Sequence, residues 1–177
     1  MDKQIKDLII KYAEIYSQFE VLQSGDNSTL PTGDQKTGVI GEYYAKCYIE
    51  KTLRLKAEYS KINESCDIKY NLNGMMMKVQ VKAVSSHSKT RTIAPLNLNL
   101  VNNENPFDFL YLISLDKNFI PNGFYINTYT EIIETLRKKG DERFRIVSSV
   151  MKGNGKIGSW MYNFENDKKD EILAAIK

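Results

Sequence analysis

The sequence predicts an α/β domain built on a mixed sheet flanked by helices. Three observations carry that expectation. Two segments near the N-terminus repeat apolar residues at helical spacing, an Asn-Gly pair at 73–74 joins two strand-like runs, and FLYLISL at 109–115 is an unbroken apolar run. With 177 residues, 42% of them apolar, the chain is long enough for a real core and is expected to form one domain, 1–177.

The first helix is expected over residues 2 to about 22, where Ile5, Leu8, Ile9, Tyr12, Ile15, Tyr16 and Phe19 share a face and Lys3, Lys6, Lys11 and Glu14 lie off it. It reads as a packing helix, and its tyrosines also make it a candidate dimer or docking element. Residues 24–36 (SGDNSTLPTGDQK) are polar and rich in turn formers, as a linker would be. A second helix is expected from Thr37 or Gly38 to about Leu53. It has one apolar face of Ile40, Tyr43, Tyr44, Cys47 and Tyr48 and another of Ala45, Ile49 and Leu53, so it should be covered on most sides. Glu42 sits on the second of these faces, where a first-turn carboxylate would also suit the positive end of the helix.

Strands are expected at 66–70 and 75–84. In the Asn73-Gly74 type I′ turn, Leu72 faces Met75 and each later pair sums to 147. Asp67 then faces Gln80, and Ser65 faces Lys82. Alternation gathers Asp67, Gln80 and Lys82 on one face and turns Val79, Val81 and Ala83 toward the core. Such a polar face can simply meet solvent. Here the second helix is expected to cover part of it, and a buried charge demands a partner or a metal. Farther along, 109–115 reads as a central strand and 123–127 as another. Thr128 with Glu131 forms a capping box for a helix to about Lys139, ended at Gly140. Residues 143–150, 156–164 and 168–176 read as strand, strand and terminal helix.

Composition removes much chemistry. One histidine excludes polyhistidine zinc sites and disfavours His-dependent triads, while Cys47 and Cys66 lack CxxC spacing and are too few for a disulfide scaffold. Reduced thiols point to a cytoplasmic location. The first turns are polar and no apolar run approaches membrane-spanning length, so no leader or membrane partner is expected. The net charge of +3 is mild, so the placement of cations matters more than their sum.

A glutamate on the second helix, an aspartate on one strand and Q-x-K on its hairpin partner resemble the core of the P-D…(D/E)-x-K nuclease superfamily, the restriction endonuclease-like fold. The stretch Thr37 to Val84 also looks like small bacterial restriction-endonuclease-like proteins with a GE(Y/F)xA helix before the hairpin. The resemblance implies a catalytic set of Glu42, Asp67, Gln80 and Lys82. It implies Mg²⁺, or Mn²⁺, held by Asp67, Glu42, Gln80 and the Val81 carbonyl, because phosphodiester hydrolysis needs charge relief at phosphorus. Lys82 would orient or help deprotonate the attacking water.

Two departures stand out. Cys66 occupies the proline position, and Gln80 replaces the second acid with a neutral, weaker ligand for a hard cation.

After the strand, Ser85, Ser86, His87, Lys89 and Arg91 bring hydroxyls and cations together as candidate contacts to double-stranded DNA. The expected function is a Mg²⁺-dependent endodeoxyribonuclease of a type II restriction-like or DNA-defence kind, acting as a homodimer so that each subunit cuts one strand. The alternative is an inactive module on the same fold that binds nucleic acid or a protein. In a third reading, of an unrelated α/β domain, Glu42 would point away from Asp67.

Overall fold

The computed structural model describes residues 3–24, 29–31, 33, 35–61, 64–87, 96–97, 105–138, 145–146, 150–152, 156–158 and 166–177. Helix α1 runs Lys3–Gln23 and α2 runs Lys36–Cys47, continuing as a π-helical turn over Tyr48–Thr52. Strands β1 (Ala57–Tyr59), β2 (Ile68–Leu72), β3 (Met75–Ser85) and β4 (Leu96–Asn97) follow, then β5 (Phe109–Leu115), β6 (Pro121–Thr128) and helix α3 (Tyr129–Lys138). The chain closes through β7 (Arg145–Ile146), β8 (Val150–Lys152), β9 (Lys156–Gly158) and helix α4 (Lys169–Ala175).

Five strands form a mixed sheet in the order β1-β2-β3-β5-β6, parallel between β3 and β5 and antiparallel elsewhere. The expected α/β architecture is therefore present. Asn73 and Gly74 both have positive φ (53° and 85°), as a type I′ turn requires, and Leu72 pairs with Met75 in the register expected. The apolar run 109–115 forms β5, buried from Leu110 to Leu115 between β3 and β6.

One side of the sheet carries the main core. Val79, Val81, Tyr111, Ile113 and Phe124 meet Ala45, Tyr48 and Ile49 of the second helix and Ile172 and Ala175 of α4. Ile49 and Ile113 are completely buried, worth about 2 kcal/mol each in apolar area removed from water. Tyr48 stacks edge-on against Phe124 at 4.9 Å and donates its hydroxyl to Glu171 of α4 (3.1 Å). On the opposite side Leu110 and Leu112 are completely buried.

Several expectations need correction. Helix α2 lies across the Val79–Val81–Ala83 side of the sheet, not over the polar side, because the apolar residues it carries gain more there. The β2–β3 ladder stops at Ile68–Val79, so Ser65 does not face Lys82; its hydroxyl donates instead to the Pro106 carbonyl (2.9 Å). Helix α1 forms, but Ile9, Tyr12 and Ile15 stay exposed, while its C-terminal end is tied to the chain that follows. There Gln23 donates to the Pro31 (2.5 Å) and Gly33 (3.1 Å) carbonyls, and Lys36 bridges Glu20 (2.5 Å) over the ring of Tyr16. Pro31, Gly33 and Lys36 of the linker-like stretch are thus anchored to α1, and Leu30 is buried. Strand β1 was not anticipated: Ala-Glu-Tyr is too short for a periodic signal, and its pairing with β2 makes it an edge strand.

Candidate functional site

The site arises where β2 ends and β3 does not. Beyond Val79, β3 keeps β5 on one edge while the edge once held by β2 opens. Asp67 occupies this fork. Its N–H donates to the Val79 carbonyl (2.8 Å), and its own carbonyl accepts from Ser60 N–H (2.9 Å). Its side chain then takes over the ladder, Oδ2 accepting from Val81 N–H (2.7 Å) and from the Gln80 amide. A strand residue presents its N–H and C=O to the same edge, so the Val81 carbonyl also opens toward Asp67.

Glycine 41 brings the glutamate in. A Cβ at this position would overlap the Cβ of Ala83 and approach Val81 Cγ1 to 3.8 Å, so only glycine lets α2 lie this close to β3. The next residue, Glu42, then reaches the open edge. Glu42, Asp67, Val81, Lys82 and Ala83 line one cavity of about 400 Å³, together with Gly33, Gln35 and residues 37–39 at the start of α2. Residues from both faces of β3 line it, so the cavity straddles the strand edge.

Burial pushes the Glu42 carboxyl up to about 8, the negative charge of Asp67 adds to the rise, and Lys82 pulls against it. Burial raises Asp67 as well, opposed by the Val81 N–H and by Lys82. Two acids and one base thus share a partly dehydrated space, and among the described residues Glu42 takes no hydrogen bond and Lys82 no ion pair. Crowded carboxylates with spare oxygens suit a small hard cation.

Among the described residues no three His, Cys, Asp or Glu side chains gather as a metal cluster. Two carboxylates and a main-chain carbonyl on a cavity with room for several waters fit Mg²⁺, which keeps several waters and needs only one or two protein carboxylates. They fit a structural zinc site poorly.

The sequence-derived set is thus partly gathered. Glu42, Asp67, Lys82 and the Val81 main chain meet at the cavity. Gln80 touches Asp67 but is not part of the cavity lining. Ser85 is buried at the end of β3, while Ser86 and His87 are tied to the β5–β6 end: Ser86 N–H donates to Leu115 O (3.0 Å), and His87 Nε2 donates to Lys117 O (2.7 Å) beside the Phe119 ring. Lys89 and Arg91 lie outside the described residues. Sequence reasoning assigns no role to Gly41 or to the start of α2. The available signal is a glycine inside a helix, where it costs about 1 kcal/mol, directly before the acid.

No family model matches the sequence, and no curated protein matches it. Among solved structures the chain is similar to "a bacterial homing endonuclease: I-Ssp6803I", at 20% identity and a TM-score of 0.38, over 54% of this chain and 70% of that one. A likeness of that depth leaves the chemistry to be read from the site.

Proposed function

We propose that the chain is a divalent-metal-dependent endodeoxyribonuclease of the restriction endonuclease-like, P-D…(D/E)-x-K class, serving a type II restriction-like or DNA-defence role. The observation that carries this reading is the convergence of Glu42, Asp67, Lys82 and the Val81 main chain on one cavity at the open edge of β3. Asp67, Glu42 and the Val81 carbonyl would hold Mg²⁺ or Mn²⁺, with Gln80 beside them. The cation, when bound, neutralises charge on the phosphate under attack.

Each residue then has a separate task. The Val81 N–H and the Gln80 amide both donate to Asp67 Oδ2, fixing the carboxylate and leaving Oδ1 free to face the cavity. Glu42 supplies the second negative charge that the neutral Gln80 does not. Lys82 directs the attacking water toward phosphorus and steadies charge as it builds on the phosphate oxygens. Lys89 and Arg91, with Ser86 and His87 before them, are proposed to hold the duplex backbone; binding that ignored ionic strength would exclude that role.

The position of Gln80 favours one rival reading. An amide committed to Asp67, where the family places a second acid, is what an inactivated module binding nucleic acid or a protein would also show. Calorimetry separates the two: an active site binds Mn²⁺ and loses that binding in Asp67→Ala, whereas a module without catalysis gives no heat of binding in either protein. Supercoiled plasmid and a duplex RNA of matched length, offered with Mg²⁺, identify the substrate.

A further inference from the structure

Helix α1 carries a second periodicity inside its apolar face. Ile5, Leu8, Tyr12, Ile15, Phe19 and Leu22 follow one another at steps of three, four, three, four and three, which is three heptads of a coiled-coil seam. A helix that only packs on its own sheet needs a broader stripe of period 3.6; a strict 3.5 repeat is what a second helix asks for. From its middle onward the seam is open in the folded chain at every position but Phe19, which is half-buried beside Lys36. Tyr12 is 66% exposed, Ile15 55% and Leu22 47%, although all are large apolar side chains. Contacts at the C-terminal end of α1, to Lys36, Pro31 and Gly33, leave Tyr12 and Ile15 largely exposed.

We propose that this seam is closed by α1 of a second copy of the chain, running antiparallel. Symmetry and charge select that occupant. In an antiparallel two-fold pair, each a position meets a d position of the partner helix, and here every such pair sums to 27: Ile5 with Leu22, Leu8 with Phe19, Tyr12 with Ile15. The axis passes between residues 13 and 14, so all six seam positions are used without an overhang. The charge along the helix changes sign near the same point. Residues 3–11 carry Lys3, Lys6 and Lys11 against Asp7, whereas 12–23 carry Glu14 and Glu20 and no cation. Antiparallel pairing lays the basic half of one helix over the acidic half of the other, with Glu20 shared with Lys36 of its own chain; parallel pairing would stack like on like. Helix dipoles oppose each other in the same arrangement.

The inference is independent of the nuclease reading, and its test uses the full chain without DNA or metal. Sedimentation equilibrium at tens of micromolar should give twice the chain mass for wild type. Ile15→Glu should give the single-chain mass, or weaken the dimer at least 100-fold, with unchanged far-UV circular dichroism because Ile15 is 55% exposed in its own chain. Orientation is read by oxidation: a mixture of Ile5→Cys and Leu22→Cys chains should form a disulfide-linked dimer, and Leu22→Cys alone should not. A monomeric wild type, a dimer indifferent to Ile15→Glu, or ready cross-linking of Leu22→Cys to itself would each overturn the proposal.

Discussion

At the scale of single residues, Gly41 is the position on which the site geometry turns. In an exposed helix interior, replacing glycine by alanine stabilises by up to about 1 kcal/mol. Here the added methyl meets the Ala83 Cβ, and overpacking of that kind costs about 1–3 kcal/mol, so Gly41→Ala should lower stability in urea denaturation. The paired change Ala83→Gly should restore most of the loss; a double variant as unstable as the sum of the singles would mean the two do not touch. Glu42 gives a second residue-scale prediction. Its carboxyl titrates near 8 in the native chain and near its ordinary value of 4.5 when unfolded. Between those values the native state holds the extra proton, so stability of the metal-free protein falls as pH rises through that window, by on the order of a few kcal/mol. Asp67, also raised, acts in the same direction. In Glu42→Gln the loss between pH 5 and pH 8 should shrink clearly, and an unchanged slope would contradict the placement of Glu42.

Much of the site is legible at this scale because hairpin register is arithmetic: one Asn-Gly turn is enough to put Asp67 beside Gln80. Where the ladder stops is not legible. A period of two carried past Ile68 pairs Ser65 with Lys82, whereas the Asp67 carboxylate captures the Val81 N–H and ends the pairing there. The exchange of a backbone acceptor for a side-chain acceptor leaves no trace in hydrophobic periodicity.

At the scale of elements, local signals are strong wherever a cap or turn has its own chemistry. The capping box is in place: Thr128 N–H donates to Glu131 Oε2 (2.7 Å), and Glu131 N–H donates to Thr128 Oγ1 (3.2 Å). Thr128→Ala should therefore cost about 1 kcal/mol in urea denaturation, and Glu131→Ala should add little on top because both act through one motif. Helix α4 begins in another way: Asp167 Oδ1 accepts from Lys169 N–H and from Phe124 N–H (both 3.0 Å), fastening the helix to β6. Alternating patterns say which side of β3 is apolar but not which helix covers it. Helix α2 has apolar residues on two faces, so its pattern leaves open which side of the sheet it chooses. The tight fit of Gly41 on Ala83 shows the side taken.

At the scale of the whole molecule, a five-stranded mixed sheet holds α2 and α4 against one face, and the candidate site sits where that layered body has a gap, at the edge that β2 leaves and α2 does not fill. Among the described residues no helix is long and apolar enough to cross a membrane. The scarcity of histidine and cysteine, which by itself only excludes chemistry, agrees with a site made of two carboxylates, a lysine and main chain. The nuclease reading stands most directly on one measurement, the rate at which supercoiled plasmid is nicked in Mg²⁺ by the wild-type chain, by Asp67→Ala and by Lys82→Ala. Nicking by wild type that EDTA abolishes, with both variants slower by at least about 100-fold, is the predicted result. Equal rates for all three proteins, or nicking that persists in EDTA, would contradict it.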